Sequence, residues 1–208
     1  MHFLRSATTS KSRSLVGYHS AIESLLVRSY SSTMTKKNGS KGENKNGSQG
    51  KKPDHTHAPT INKPKYQPSC MLEFDGSSKA NGQAGAGAVL RADNGSMTCH
   101  LREGLGTADS STAEYRAIIL GLKYALQKGF THIRVRGDSK TVCMQIQEQV
   151  KVKSRRISTL CEQAKQLKAR FLSFKIEHVS RKLNTEADKQ ASLAVTLTDG
   201  HIEEEIEK

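Results

Sequence analysis

From residue 68 onward the chain switches between a two-residue and a helical period. Met71, Leu72 and Phe74 lead into Asp75 and then Gly76-Ser77-Ser78. This predicts a buried strand that delivers one carboxylate to a turn free of bulky side chains. Two further strands are predicted at 84–92 and 97–105. Asp93-Asn94-Gly95 joins them, and Asn81-Gly82 marks the turn before; Asn and Gly tolerate positive φ, so the three strands form an antiparallel meander. The period then lengthens: Ile118, Leu122, Ala125 and Leu126 share one face of a helix that follows Ser111, runs to about Lys128 and is closed by Gly129. Residues 132–136, His-Ile-Arg-Val-Arg, alternate again and lead through Asp138 into a helix over 141–149. A strand placed between two helices predicts a parallel crossover. A turn rich in Lys and Arg (Lys151, Lys153, Arg155, Arg156) precedes an amphipathic helix ending near Arg170. Leu172, Phe174 and Ile176 mark a fifth strand, and Asn184 caps a last helix through about Val195. The predicted order is β-β-β-α-β-α-α-β-α, with residues 198–208, which include Glu203-Glu204-Glu205, left as an acidic frayed tail.

The first 67 residues carry none of this patterning. Residues 1–32 hold Arg5, Lys11, Arg13 and Arg28, many serines and a single acid, Glu23, around an amphipathic middle (Val16, Ala21, Ile22, Leu25, Leu26). That composition resembles an organelle transit peptide. Arg28-Ser29-Tyr30-Ser31-Ser32 is similar to a matrix-processing pattern, so a mitochondrial location is expected. A plastid address and an unaddressed basic leader are the alternatives, and an internal start at Met34 would give a cytosolic or nuclear form. Residues 33–67 are Lys, Asn, Gly, Ser and Pro with little apolar material, a composition that predicts a disordered basic linker.

The net charge is +13, and residues 1–70 carry 12 Lys and Arg against 3 acids, whereas residues 71–208 carry 21 against 17. The excess is therefore mostly in the leader and linker. A positive balance favours polyanions such as nucleic acid; a solvated targeting segment gives the same number. Cys70, Cys99, Cys143 and Cys161 are widely spaced without a Cys-x-x-Cys pair, so neither a zinc site nor a disulfide framework is indicated and reduced thiols are expected. No apolar run reaches the ~20 residues needed to span a bilayer, so no membrane partner is expected. Nothing calls for an obligate protein partner either, and a monomer is expected.

Three more acids stand where predicted elements begin: Glu114, Asp138 and Asp188. Each has a local structural explanation. Ser111-Thr112-Ala113-Glu114 reads as a capping box, Asp138 as an N-cap, and Asp188 as a first-turn acid favoured by the helix dipole. Asp75, at the end of an apolar strand, has none. If the four meet, their mutual repulsion requires bound cations. Oxygen ligands without nearby His or Cys select Mg²⁺ or Mn²⁺. Two such ions can hold the attacking and leaving oxygens of a phosphodiester, which is nuclease chemistry.

The ordered motifs Asp75-Gly76-Ser77, Thr112-Ala113-Glu114-Tyr115-Arg116-Ala117, Gly137-Asp138-Ser139 and Asn184-x-x-x-Asp188 on these elements resemble type 1 ribonuclease H, in its compact plant, bacterial and archaeal-like branch. The resemblance covers about residues 68–197. It implies an α/β fold with a five-stranded mixed sheet, three antiparallel strands then two parallel, and helices on both faces. It also implies an endonuclease that hydrolyses the RNA strand of RNA–DNA hybrids with two Mg²⁺ ions, or Mn²⁺, held by Asp75, Glu114, Asp138 and Asp188. Gly76, Ser77, Asn81, Ser110, Ser111 and Thr112 match positions contacting the two strands. Arg181 stands nearest the group that assists product release, and Asn184 is grouped with the substrate-contacting residues. The first turn reads Ala80-Asn81-Gly82-Gln83 where relatives carry Gly-Asn-Pro-Gly, and residues 33–66 do not match the small hybrid-binding module of some relatives. Two alternatives stand beside the enzyme: a catalytically silent nucleic-acid-binding module of the same fold, and a nuclease with another nucleic-acid substrate.

Overall fold

A computed structural model describes residues 68–207 and the backbone of Arg13 and Ser14. The rest of the expected leader (1–32) and linker (33–67) lies outside the described residues. The meander consists of β1 (Ser69–Ser78), β2 (Gln83–Ala92) and β3 (Thr98–Thr107), followed by helix α1 (Ser110–Gln127). Then come β4 (His132–Gly137), α2 (Lys140–Ile146), α3 (Arg155–Lys168), β5 (Ser173–His178), a 3₁₀ turn (Arg181–Leu183) and α4 (Thr185–Ala194). Strand β6 (Ile202–Glu207) ends the described chain. The strands lie in the order β6-β3-β2-β1-β4-β5. Pairs β1–β2, β2–β3 and β3–β6 are antiparallel, and β1–β4 and β4–β5 are parallel. Arg13 and Ser14 pair antiparallel with the outer edge of β6, opposite Glu204 and Glu203.

Strand alternation divides the core. Cys70, Leu72 and Phe74 of β1, with Ile133 and Val135 of β4, face α1 and join Ile118, Leu122, Ile146, Ile157 and Leu167 in one apolar cluster. Each large aliphatic side chain buried there contributes about 1.5–3 kcal/mol. The opposite face of β1, β2 and β3 is covered by α4 through Ala187, Ala191 and Ala194. This close approach needs glycine on β2: a Cβ at Gly87 would lie 2.6 Å from the Gln190 carbonyl carbon, in the backbone of α4. Helices thus flank both faces, as expected. All four cysteines are buried and free, and burial pushes the thiols of Cys70, Cys99 and Cys143 up to about 12. Among the described residues, no helix is long and apolar enough to cross a membrane.

The sixth strand corrects the expected count of five and the expected frayed tail. Ile202 and Ile206 flank three glutamates whose charges find partners far back in the chain. Arg102 reaches Glu203 at 3.3 Å and Glu205 at 2.6 Å. Lys128 lies 3.5 Å from Glu204, which also accepts the Tyr124 hydroxyl. An isolated acidic run repels itself; paired with Arg102 of β3 and with Tyr124 and Lys128 at the end of α1, it adds a strand beyond β3.

Candidate metal centre

Asp75 lies on β1 just beyond the point where β4 stops pairing, since the last parallel partners are Phe74 and Gly137. Asp138 follows Gly137, so parallel pairing alone brings these two acids side by side. Glu114 arrives from α1, and Gly76 makes that arrival possible. A Cβ at Gly76 would meet the Glu114 nitrogen and the Ala113 carbonyl carbon, so only glycine lets the helix backbone rest on the strand beside Asp75. The Gly76 N–H also donates to the Glu114 carboxylate.

The local explanations for Glu114 and Asp138 do not hold. Asp109 is the N-cap of α1, its carboxylate accepting from Thr112 N–H at 2.7 Å. The helix therefore starts at Ser110, earlier than predicted, and Glu114 lies beyond the capping turn. Asp138 precedes Ser139, which holds the N-cap position of α2 without a side-chain cap bond. Asp138 instead accepts from Asn184 Nδ2 at 3.0 Å.

One carboxylate oxygen from each of Asp75, Glu114 and Asp138 lies within 4.8 Å of the others. Asp188 stands outside this trio, half-buried in an ion pair with Arg181, yet close enough to act electrostatically on Asp75. The site is starved of positive charge. Asp75 is 5% exposed; burial, then Asp138 by charge and hydrogen bond, then Asp188, hold its carboxyl well above the usual range, with Arg181 opposing. Glu114 is pushed up to about 9 by burial, then by the charges of Asp75 and Asp138. Its Oε2 is buried with no hydrogen-bond partner among the described residues. Three convergent oxygen donors, one of them orphaned, with no Cys or His in the ligand group, fit a hard divalent cation.

The other expected site residues divide into a rim and a support. Ser78 Oγ donates to Ala108 C=O at 2.8 Å, and Ala108 N–H donates to Gly82 C=O at 3.1 Å, joining the β1–β2 turn to the start of α1. Ser77 lies half-buried beside Gly76, and Asn81 is exposed, its amide folded onto Gln83. Ser110 and Ser111 are exposed at the start of α1, while Thr112 Oγ1 is buried without a partner among the described residues. Arg156 pairs with Asp109, placing the basic start of α3 beside this rim. The Arg181 side chain is 76% exposed. Asn184 requires a correction. It holds the N-cap position of α4, as expected, but it is 0% exposed and makes no side-chain cap bond, so its amide neither caps the helix nor reaches a substrate. Its Nδ2 donates to Phe74 C=O at 2.9 Å as well as to Asp138. Asp109 is the residue the sequence pattern did not single out at this end; an Asp immediately before Ser110 was the available signal for the cap.

Residues 73–194 match the family described as reverse transcriptase-like. Ribonuclease HI of Halobacterium salinarum is 33% identical over 123 residues, covering 59% of this chain and 62% of that protein. The crystal structure of that organism's RNase H1 superposes with a TM-score of 0.59 at 32% identity, over 61% of this chain and 97% of the other. A bifunctional protein of Mycobacterium tuberculosis is 38% identical over 127 residues, 60% of this chain and 35% of its own length. The matched segment thus spans less than two thirds of either curated relative. LC11-RNase H1, solved in complex with an RNA/DNA hybrid, superposes with a TM-score of 0.56 at 26% identity, over 61% and 96% of the two chains.

Proposed function

Since the chain belongs to the reverse transcriptase-like family, of ribonuclease H-like fold, we propose that it is an endonuclease hydrolysing the RNA strand of RNA–DNA hybrids. The observation that carries this reading is the convergence of Asp75, Glu114 and Asp138 within 4.8 Å at the ends of two parallel strands. These three, with Asp188 beside them, would hold two divalent ions, Mg²⁺ by donor chemistry and Mn²⁺ as a substitute. When bound, the ions supply Lewis acidity to the scissile phosphate and acidity to the attacking water. Cleavage would leave 5′-phosphate and 3′-hydroxyl ends.

The chain's own groups orient the substrate. Gly76 N–H fixes the Glu114 carboxylate, which in this reading also faces the ribose 2′-hydroxyl, the group that tells RNA from DNA. The rim formed by Asn81, Ser110 and Ser111 offers neutral polar groups to the two sugar–phosphate backbones, whereas the Thr112 hydroxyl is buried beneath it. Lys151, Lys153 and Arg155 add charge toward DNA phosphates. Arg181, exposed beside Asp188, presents its guanidinium to a phosphate entering or leaving. The basic leader directs the enzyme to mitochondrial hybrids, and N-terminal sequencing of the mature protein tests that address.

The activity is tested by incubating the full chain with labelled RNA–DNA hybrid, duplex DNA and duplex RNA, with Mg²⁺ or chelator, beside Asp75→Asn. Metal-dependent cutting confined to the hybrid and absent from the variant is expected. Hybrid binding without cutting would identify a silent module instead, and cutting of duplex DNA another nuclease.

A further inference from the structure

Asn184 is buried at the junction of the elements that bear the acids. Its Nδ2 donates to Phe74 C=O at 2.9 Å and to Asp138 Oδ1 at 3.0 Å. Phe74 immediately precedes Asp75, so the first bond pins the strand at the residue before that carboxylate. The second holds one oxygen of Asp138 directly. Through its backbone, Asn184 C=O accepts from Asp188 N–H at 3.0 Å, which sets the first turn of α4. One residue is therefore bonded to Asp138 and Asp188 and to the neighbour of Asp75.

The amide orientation follows from its surroundings. Both groups facing Nδ2 are acceptors, and the flipped amide would set a carbonyl oxygen against a carbonyl and a carboxylate. In the orientation present, Oδ1 is buried without a partner among the described residues. A buried side chain serving only packing or capping would not need to leave an acceptor orphaned. Here both donors are committed to β1 and to a carboxylate of the acidic trio.

We propose that Asn184 is a positioning residue of the metal centre, whose amide holds Asp138 and the end of β1 in the arrangement that receives divalent ions. It touches neither substrate nor reacting atoms and acts through Asp138. The inference rests on the metal reading of the acids, but its test does not depend on turnover. Groups that orient metal ligands typically change metal affinity by about 10–100-fold when removed.

The test is Mn²⁺ binding to the full chain, followed by electron paramagnetic resonance and calorimetry, for the wild type, Asn184→Ala and Asn184→Ser. Thermal unfolding in chelator is measured alongside. The expected result is folded variants whose Mn²⁺ affinity falls by about 10-fold or more, with Asn184→Ser, which keeps one donor, between alanine and wild type. A variant that unfolds earlier but binds Mn²⁺ as tightly as wild type overturns the proposal, because Asn184 would then only anchor α4 to β1. Failure of both variants to fold overturns it as well, since the role would be structural. A wild-type protein that takes up no Mn²⁺ removes the metal reading itself, an outcome distinct from either.

Discussion

Replacing Gly76 with alanine isolates the contact that brings Glu114 to the other acids. The new Cβ would meet the Glu114 nitrogen and the Ala113 carbonyl carbon, and would lie 2.8 Å from the Glu114 Cα. All three are backbone atoms, and none can turn away as a flexible side chain would. Ordinary carbon contacts lie near 3.5–4.0 Å, so α1 has to retreat from β1 by about 1 Å. Gly76 has no positive φ, so alanine fits the backbone itself and the effect is steric alone. Overpacking of this kind costs about 1–3 kcal/mol, which lowers Tm by about 3–10 °C for a domain of this size. The retreat also carries Glu114 away from Asp75 and Asp138. A catalytic group displaced by about 1 Å loses on the order of 10²-fold in rate. The expected outcome is a folded variant with a modestly lower Tm and hybrid cleavage reduced about 100-fold, the loss persisting at saturating Mg²⁺. Differential scanning calorimetry and a cleavage time course provide the two readouts. Wild-type Tm together with wild-type cleavage would refute the claim that Gly76 sets the helix–strand approach.

Glu114, held up to about 9 from a usual value of 4.5, keeps its proton in the metal-free folded state and loses it on unfolding across that window. Its contribution therefore makes the metal-free protein less stable as pH rises from about 4.5 to about 9. Mg²⁺ should raise Tm more at pH 8.5 than at pH 6, and calorimetry in buffers of different ionisation enthalpy should detect proton release on metal loading; a larger Mg²⁺ effect at pH 6 contradicts this. Neutralising Asp75, a buried acid beside Asp138 and Asp188, by Asp75→Asn should abolish cleavage while leaving the metal-free Tm unchanged or higher, and a clear fall in that Tm would show that Asp75 is structurally stabilising. Arg102 bridges Gln190 at 2.6 Å to Glu203 and Glu205, so Arg102→Ala should cost about 2–3 kcal/mol by freeing β6 and loosening α4. Urea unfolding measures it, and an unchanged midpoint would mean that β6 is held by its backbone alone.

The elements legible in the sequence were those whose signal is local. Leu72 and Phe74 alternate with polar neighbours, Ile133 and Val135 do the same, and the Asn-Gly pairs mark both hairpin turns. β6 was not legible, because Ile202-Glu203-Glu204-Glu205-Ile206-Glu207 reads as a charge run until Arg102, Tyr124 and Lys128 are seen beside it. The site divides in the same way. Asp75 stood out because an acid ending an apolar strand has no neighbouring excuse. Glu114 was ambiguous between cap and ligand, and only the placement of Asp109 under Thr112 N–H frees it. Asn184 takes the expected N-cap position, but capping is a rule about the next few residues, whereas its side chain serves Phe74 and Asp138, 110 and 46 positions away. Asp188 was expected among the other acids; its ion pair with Arg181 is a choice between partners that spacing does not encode.

The metal centre is tested most directly by diffraction from crystals grown with Mn²⁺, using its anomalous signal. Peaks in contact with carboxylate oxygens of Asp75, Glu114 and Asp138, lost in crystals of Asp75→Asn, are the expected result. Crystals that diffract well and bind Mn²⁺ elsewhere, with no peak among those three side chains, would contradict it.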